Sequence, residues 1–185
     1  MPKLEEKLKK IQEVVFDGDG VFFTGRVFVG FSGEVMKERS LVDGQGISFL
    51  RAAGIRIAFC TGEDGRFFEP VVEKMNGLPS VTSGAWPRVH LFTDRHQSGK
   101  VEAVNIWLTE CRIEWEQCAV MGDDFSDYGL FQKCSFRVAP EQAEKELREM
   151  ADFVTPRVGG DGAIRDFANL ILQAKGISKY SLAIK

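Results

Sequence analysis

The sequence predicts an α/β fold, a parallel sheet flanked by helices. Three observations carry this. Short apolar runs recur between longer helical patterns: Glu13-Val-Val-Phe16, Ile55 to Cys60 and Gln117 to Met121. Apart from Glu13, Arg56 and Gln117 they are apolar, as strands covered on both faces are. Each also breaks abruptly into small and polar residues, as in Asp17-Gly-Asp-Gly20, Thr61-Gly62 and Gly122-Asp-Asp124.

The elements follow in order. Residues 1–12 are a charged lead-in, a short helix or a frayed end, and Glu13 to Phe16 is the first strand. Residues 21–40 hold a hairpin: Val27, Val29 and Phe31 alternate before Ser32-Gly33 turns the chain, and Val35 follows. Asp43 is placed to cap a helix that Gly54 ends. After the Ile55 strand a helix runs from about Arg66 to Met75, with Pro70 disturbing its start. Residues 76–87, rich in Gly, Pro and Ser, read as a loop with room for a short strand. A strand at 89–92 and a helix at 101–110 follow. Beyond the Gln117 strand come a short helix, a strand at 136–138, a helix at 141–150, a strand at 152–154 and a closing helix at 163–175. Residues 176–185 form a tail expected to be disordered. No linker divides the 185 residues, so one domain is expected.

Composition narrows the function classes. The net charge is -3 and the pI about 5.5, without the basic patch that nucleic acid or an anionic membrane surface attracts. No apolar run nears the roughly 20 residues that span a bilayer, and the Lys/Glu-rich lead-in is no signal peptide. A cytoplasmic protein is expected. Cys60, Cys111, Cys118 and Cys134 form no Cys-x-x-Cys pair, and two histidines offer little for zinc, so buried or free thiols are expected. Of three tryptophans, Trp86 is the one expected to be exposed.

The polar residues that stand out all fall where strands end, the place where parallel sheets bind ligands. Asp17 and Asp19 follow one strand and Thr61 the next. Asp123 and Asp124, with Asp127 close behind, follow another. Lys100 opens a helix in Ser98-Gly99-Lys100. Asp-x-Asp alone is also what an ordinary Asp-Gly turn looks like; the four elements together are far more specific.

Phe16-Asp-Gly-Asp-Gly-Val21, Cys60-Thr-Gly62, Lys100 and Met121-Gly-Asp-Asp-Phe-Ser-Asp127 resemble the motifs of the haloacid dehalogenase superfamily, along nearly the whole chain. The resemblance implies a Rossmann-like sheet and a Mg2+-dependent phosphatase. It implies that Asp17 attacks phosphorus to give a phosphoaspartate, and that Asp19 protonates the leaving oxygen and then activates water. Thr61 and Lys100 would bind the phosphoryl oxygens, which carry charge in the transition state. Magnesium prefers oxygen ligands. The family supplies it with the Asp17 and Asp123 carboxylates and the Asp19 carbonyl. Asp124 is expected behind the ligands, orienting Lys100, with Asp127 also behind them.

Many relatives carry a cap domain between the motifs. The two candidate gaps here, Asp19 to Thr61 and Thr61 to Lys100, span about 40 positions each, too few for an added domain. Either a macromolecular substrate or a neighbouring subunit would close the site. Residues 21–46, and Gly159-Gly-Asp-Gly-Ala-Ile-Arg-Asp166, are similar to the capless sugar-acid phosphate phosphatases, the subgroup acting on 3-deoxy-D-manno-octulosonate 8-phosphate or 2-keto-3-deoxynononate 9-phosphate. That likeness implies a homotetramer assembled through the hairpin, and a small sugar-acid phosphate as partner. Residues 159–166 also read simply as a helix start capped by Asp161.

Gly62, Glu63, Lys74 and Arg165 are the candidate substrate-binding residues. Glu63 after Thr-Gly, with Lys74 eleven positions on, matches the nononate pattern, where octulosonate enzymes have Arg after Thr-Gly. Either residue alone is equally a helix-start Glu or a solvated Lys. Gly18 replaces a larger residue, Asp161 an Arg, and the 76–97 connection is longer than usual, with His96 in it as a surface or substrate-contacting histidine. Two rivals remain: a phosphatase for other substrates, and a non-catalytic assembly domain related to those fused to sialic-acid cytidylyltransferases. A phosphorylated receiver domain fits the motif order poorly.

Overall fold

The computed structural model describes residues 2–182. Among the described residues, eight strands and eight α-helices follow one another in this order. The first half holds α1 (Pro2–Lys10), β1 (Glu13–Phe16), β2 (Val27–Gly30), β3 (Gly33–Lys37), α2 (Leu41–Ala52), β4 (Arg56–Cys60), α3 (Glu69–Asn76), α4 (Pro79–Thr82) and β5 (Val89–Phe92). The second holds α5 (Ser98–Cys111), β6 (Cys118–Met121), α6 (Tyr128–Lys133), β7 (Phe136–Ala139), α7 (Lys145–Met150), β8 (Phe153–Val154) and α8 (Ala163–Ala174).

Six strands form one parallel sheet in the order β5-β4-β1-β6-β7-β8. Successive side chains of a strand point to opposite faces, and the core divides accordingly. Val14 and Phe16 of β1, with Ile57, Phe59 and Met121, face one layer that includes Leu50 of α2 and Phe167 of α8. Val15, Ala58, Cys60 and Val120 face the other, packed with Trp107 of α5 and Phe131 of α6. β1, β4 and β6 lie side by side, which brings the loops after all three to one edge of the sheet.

β2 and β3 pair antiparallel as a separate hairpin inserted after β1, and the described residues contain no cap domain. The hairpin is apolar and exposed: Val29 is 73 % accessible and Phe31 fully so. Phe22, Phe23, Phe59 and Phe68 cluster at its base, with ring centroids 4.7–5.3 Å apart.

Several local expectations are corrected. Ser40, not Asp43, caps α2, its hydroxyl accepting from the Val42 amide at 3.1 Å. Asp43 is buried and accepts from the amides of Gly162 (2.8 Å) and Arg165 (3.1 Å), docking α2 onto the start of α8. Trp86 is buried, because the guanidinium of Arg51 stacks over it at 5.8 Å. Arg51 also donates to the carbonyls of Pro87 and Met75, so the long connection after α3 is pinned rather than loose. That connection contains the short helix α4, not a strand. The lead-in is helical. Of the tail, Lys179–Ser181 forms a 3-10 turn, while residues 183–185 lie outside the described residues. All four cysteines are free.

Candidate active site

Asp17, Asp19, Thr61, Gly62, Glu63, Lys100, Asp123 and Asp124 line one cleft of about 450 Å³ beyond the carboxyl ends of β1, β4 and β6. A larger, more apolar cleft of about 600 Å³ lies beside it, against Val101, Trp115, Phe125 and Tyr128. The chemically able side chains are gathered in the smaller one, and chemistry rather than volume selects it.

Lys100, in the first turn of α5, is buried at its centre. Its ammonium bonds the Asp17 carboxylate, Asp127 Oδ1 at 2.7 Å and Ser126 Oγ at 3.2 Å. Just before it, Asp94 and Gln97 take positive φ of 54° and 38°, a strained approach that aims the helix start into the cleft. Asp127 Oδ2 accepts the Asp123 amide at 3.1 Å. The expectation for Asp124 is therefore corrected: Asp127 holds Lys100, while Asp124 is exposed and accepts from the Phe125 amide at 2.6 Å. The 3-10 turn Phe125–Asp127 carries Asp127 back under the loop.

Carboxylate oxygens of Asp17, Asp123 and Asp127 lie within 4.8 Å of one another. Both oxygens of Asp127 are already engaged. Asp17 and Asp123 remain as the carboxylates able to hold a divalent cation, and Asp123 Oδ1 is buried with no hydrogen-bond partner. Burial, with the Asp127 charge beside it, pushes the Asp17 carboxyl up to about 7 against the pull of Lys100. Burial and the Asp17 and Asp127 charges push Asp123 up to about 8. Burial also raises Asp127. Desolvation works against the Lys100 ammonium, but Asp17 and Asp127 outweigh it and raise its pKa. One ammonium thus serves too many carboxylates, and a second cation fits the remaining charge. These residues suit a hard, oxygen-seeking ion such as magnesium.

Backbone contacts shape the cleft wall. Thr61 is buried: its amide donates to Phe92, its carbonyl accepts from Arg95 at 3.0 Å, and its hydroxyl accepts from the Glu63 amide at 3.2 Å. His96 faces Gly62, where an added Cβ would stand 2.7 Å from His96 Nδ1. Gly18 has a packing reason. A Cβ there would meet Thr61 Oγ1 at 2.8 Å and the Phe68 ring at 2.9 Å, so Phe68 occupies the space a larger residue would need. Gly20 has φ of 82°, and a Cβ on it would overlap the Asp123 carboxylate.

The Gly159-Gly160 stretch backs the Asp17 loop instead of facing the cleft. Gly160 donates its amide to Val21 at 2.7 Å, and Gln142 bridges the Gly20 carbonyl (2.7 Å) and the Gly159 amide (2.8 Å). Arg165 and Lys74 lie outside the lining of the cleft. Arg165 bonds Gln45 and stacks over Phe49 at 4.5 Å, and Lys74 is exposed on α3. Three residues at the site had no motif to announce them. Lys37 reaches Asp19 from the hairpin, and Gln142 and Glu144 line the wall. For Lys37 the only local signal is its place at the end of a strand that turns back over the loop.

Residues 82–165 match the model of the haloacid dehalogenase-like hydrolases. The 3-deoxy-D-manno-octulosonate 8-phosphate phosphatase of Salmonella typhimurium is 32% identical over 95% of this chain and 86% of its own length. Two solved structures bear the same enzyme name. That from Yersinia pestis has a TM-score of 0.83 at 27% identity, covering 98% of this chain and 91% of its own. That from Moraxella catarrhalis, in complex with magnesium, phosphate and KDO, has a TM-score of 0.80 at 25% identity, covering 95% of this chain and 94% of its own. With its sheet order, its cleft and these relatives, the chain belongs to the haloacid dehalogenase-like hydrolases, in the family of the 3-deoxy-D-manno-octulosonate 8-phosphate phosphatases.

Proposed function

We propose that this protein is a magnesium-dependent phosphatase acting on 3-deoxy-D-manno-octulosonate 8-phosphate. The observation that carries it is the convergence of Asp17, Asp123 and Asp127 on Lys100 in one cleft. The names of the relatives support the substrate.

Asp17 attacks phosphorus, forming a phosphoaspartate. Asp19 protonates the leaving oxygen, then accepts a proton from the water that attacks the phosphoaspartate. Thr61 Oγ1 and the Lys100 ammonium bind the transferring phosphoryl oxygens, and Asp127 keeps Lys100 turned toward them. Asp17 and Asp123, with the Asp19 carbonyl, would hold magnesium, which when bound would offset repulsion between the nucleophile and the phosphate dianion. Gly62 and Glu63 contact the sugar portion. Arg165 and Lys74, which lie outside this chain's cleft, would reach substrate only across a subunit contact.

Glu63 favours a second substrate, a nonulosonate 9-phosphate. Its place in the cleft keeps that reading open, while Lys74, exposed on α3, would add to it only across a subunit contact. A purely assembling role is disfavoured by the presence of every chemical group the reaction needs.

The exposed hairpin supports a homotetramer. Phe28, Val29, Phe31 and Met36 form an apolar strip of the kind that marks an interface. A cytoplasmic location is proposed on the free cysteines, and no described helix is long and apolar enough to cross a membrane.

The test is phosphate release from octulosonate 8-phosphate and nonulosonate 9-phosphate, with magnesium and with chelator. Magnesium-dependent turnover of the first supports the assignment; no turnover of either overturns it.

A further inference from the structure

Lys37 closes β3, and its side chain reaches the Asp17 loop. Its ammonium stands 2.7 Å from Asp19 Oδ2 and 3.8 Å from carboxylate oxygens of Glu34 and Glu63. It also lies over the Phe67 ring, 5.5 Å from the centroid. The side chain is 4 % exposed, against 32 % for Asp19. An ammonium is costly to bury unless it is paired, and this one is enclosed by three carboxylates and an aromatic face. Beside it, Thr24 donates its amide to the Glu38 carbonyl at 2.9 Å, tying the hairpin base to the Asp17 loop. Lys37 is therefore anchored with the site rather than with the hairpin tip.

We propose that Lys37 is a positioning residue for Asp19, a role that rests on the phosphatase reading above. By engaging Oδ2 it fixes the rotation of the carboxyl group and leaves Oδ1 as the oxygen that serves the leaving group. In the first step the Asp17–phosphorus bond forms, the bond from phosphorus to the leaving oxygen breaks, and the proton on Asp19 passes to that oxygen. In the second, water attacks phosphorus and gives a proton back to Asp19, while the phosphorus–Asp17 bond breaks, releasing phosphate and the free Asp17 carboxylate. Both transfers need Asp19 within hydrogen-bond reach at a set angle, and a misplaced acid loses much of its effect. The same ammonium faces Glu63, so it also joins the hairpin to the Thr61 loop across the leaving-group side of the cleft.

The experiment compares two esters in single turnovers. Octulosonate 8-phosphate has an alkoxide leaving group that needs the proton. 4-Nitrophenyl phosphate releases a stable phenolate that does not. Rates are referred to the burst amplitude with the nitrophenyl ester, which counts folded sites. In Lys37→Met the first step with the sugar ester is expected to fall at least about tenfold, while the nitrophenolate burst stays within about threefold. Lys37→Arg, which keeps the charge, is expected to recover part of the loss, and gives the same comparison if Lys37→Met does not fold. An equal fall on both esters, or none on either, overturns the role of Lys37 and leaves the phosphatase reading intact. A wild-type protein that hydrolyses neither ester with magnesium overturns both.

Discussion

Asp127 Oδ1 receives the Lys100 ammonium at 2.7 Å, and both side chains are about 1 % exposed. The pair is the buried strut of the site: a charged group this deep is stable only with its partner in place. Asp127→Asn keeps the shape and removes the charge. Its kcat is expected to fall about 100-fold, by analogy with loss of a preorganised electrostatic contact. The magnesium requirement should rise too, because the same residue holds the Asp123 amide. Steady-state kinetics across a magnesium titration check this; unchanged kcat would remove Asp127 from the site.

Gly18 is the second test. Phe68 and Thr61 fill the space a side chain would need. Gly18→Val is expected to cost about 1–3 kcal/mol, the usual penalty of overpacking, and to displace Thr61 in the cleft wall. Gly18→Val with Phe68→Ala should recover activity beyond Gly18→Val alone. Additive losses would mean the two positions do not share that space.

The crowded carboxylates predict a pH dependence. Asp123, up at about 8 in the fold, has an ordinary carboxylate value of 3.8 when unfolded. The folded state thus holds its proton more tightly, and stability falls as pH rises from the unfolded toward the folded value. Metal-free protein should lose several degrees of Tm between about pH 6 and about pH 8.5. Magnesium should restore them, because it binds the ionised carboxylates. Asp123→Asn should flatten the metal-free profile. A Tm that climbs over that range in chelator would contradict the crowding.

Phe31 and Val29 test the assembly. Phe31→Glu with Val29→Asp changes no residue of the cleft and is expected to lower the native mass of the proposed tetramer toward that of a monomer. Native mass spectrometry measures it directly. A mass unaffected by both substitutions places the interface elsewhere.

Most of the sheet was legible because mainly apolar strands ending in small polar loops leave little other choice. Val89 to Phe92 is a strand over the expected residues, and Asp17, Thr61, Lys100 and Asp123 converge as strand ends and a helix start should. What was not legible depended on tertiary returns. Trp86 sits in a Gly/Pro/Ser-rich stretch whose local character suggests exposure; only the distant Arg51 buries it. Asp124 and Asp127 both follow Gly122, and a 3-10 turn decides which of them reaches Lys100. Lys37 meets Asp19 because the hairpin folds back, and no spacing in the sequence encodes that approach.

The backing of the Asp17 loop by Gly159 and Gly160 has a consequence for how activity is acquired. The first strand's loop leans on backbone that is made only after the whole sheet has been translated. Contacts of such long sequence separation close late and slow folding. A nascent chain can assemble β1 and β4 early, yet the backing of the Asp17 loop is complete only once residues 159 and 160 have emerged. Loss of the 159–162 loop is therefore expected to loosen the Asp17 loop and to lower turnover.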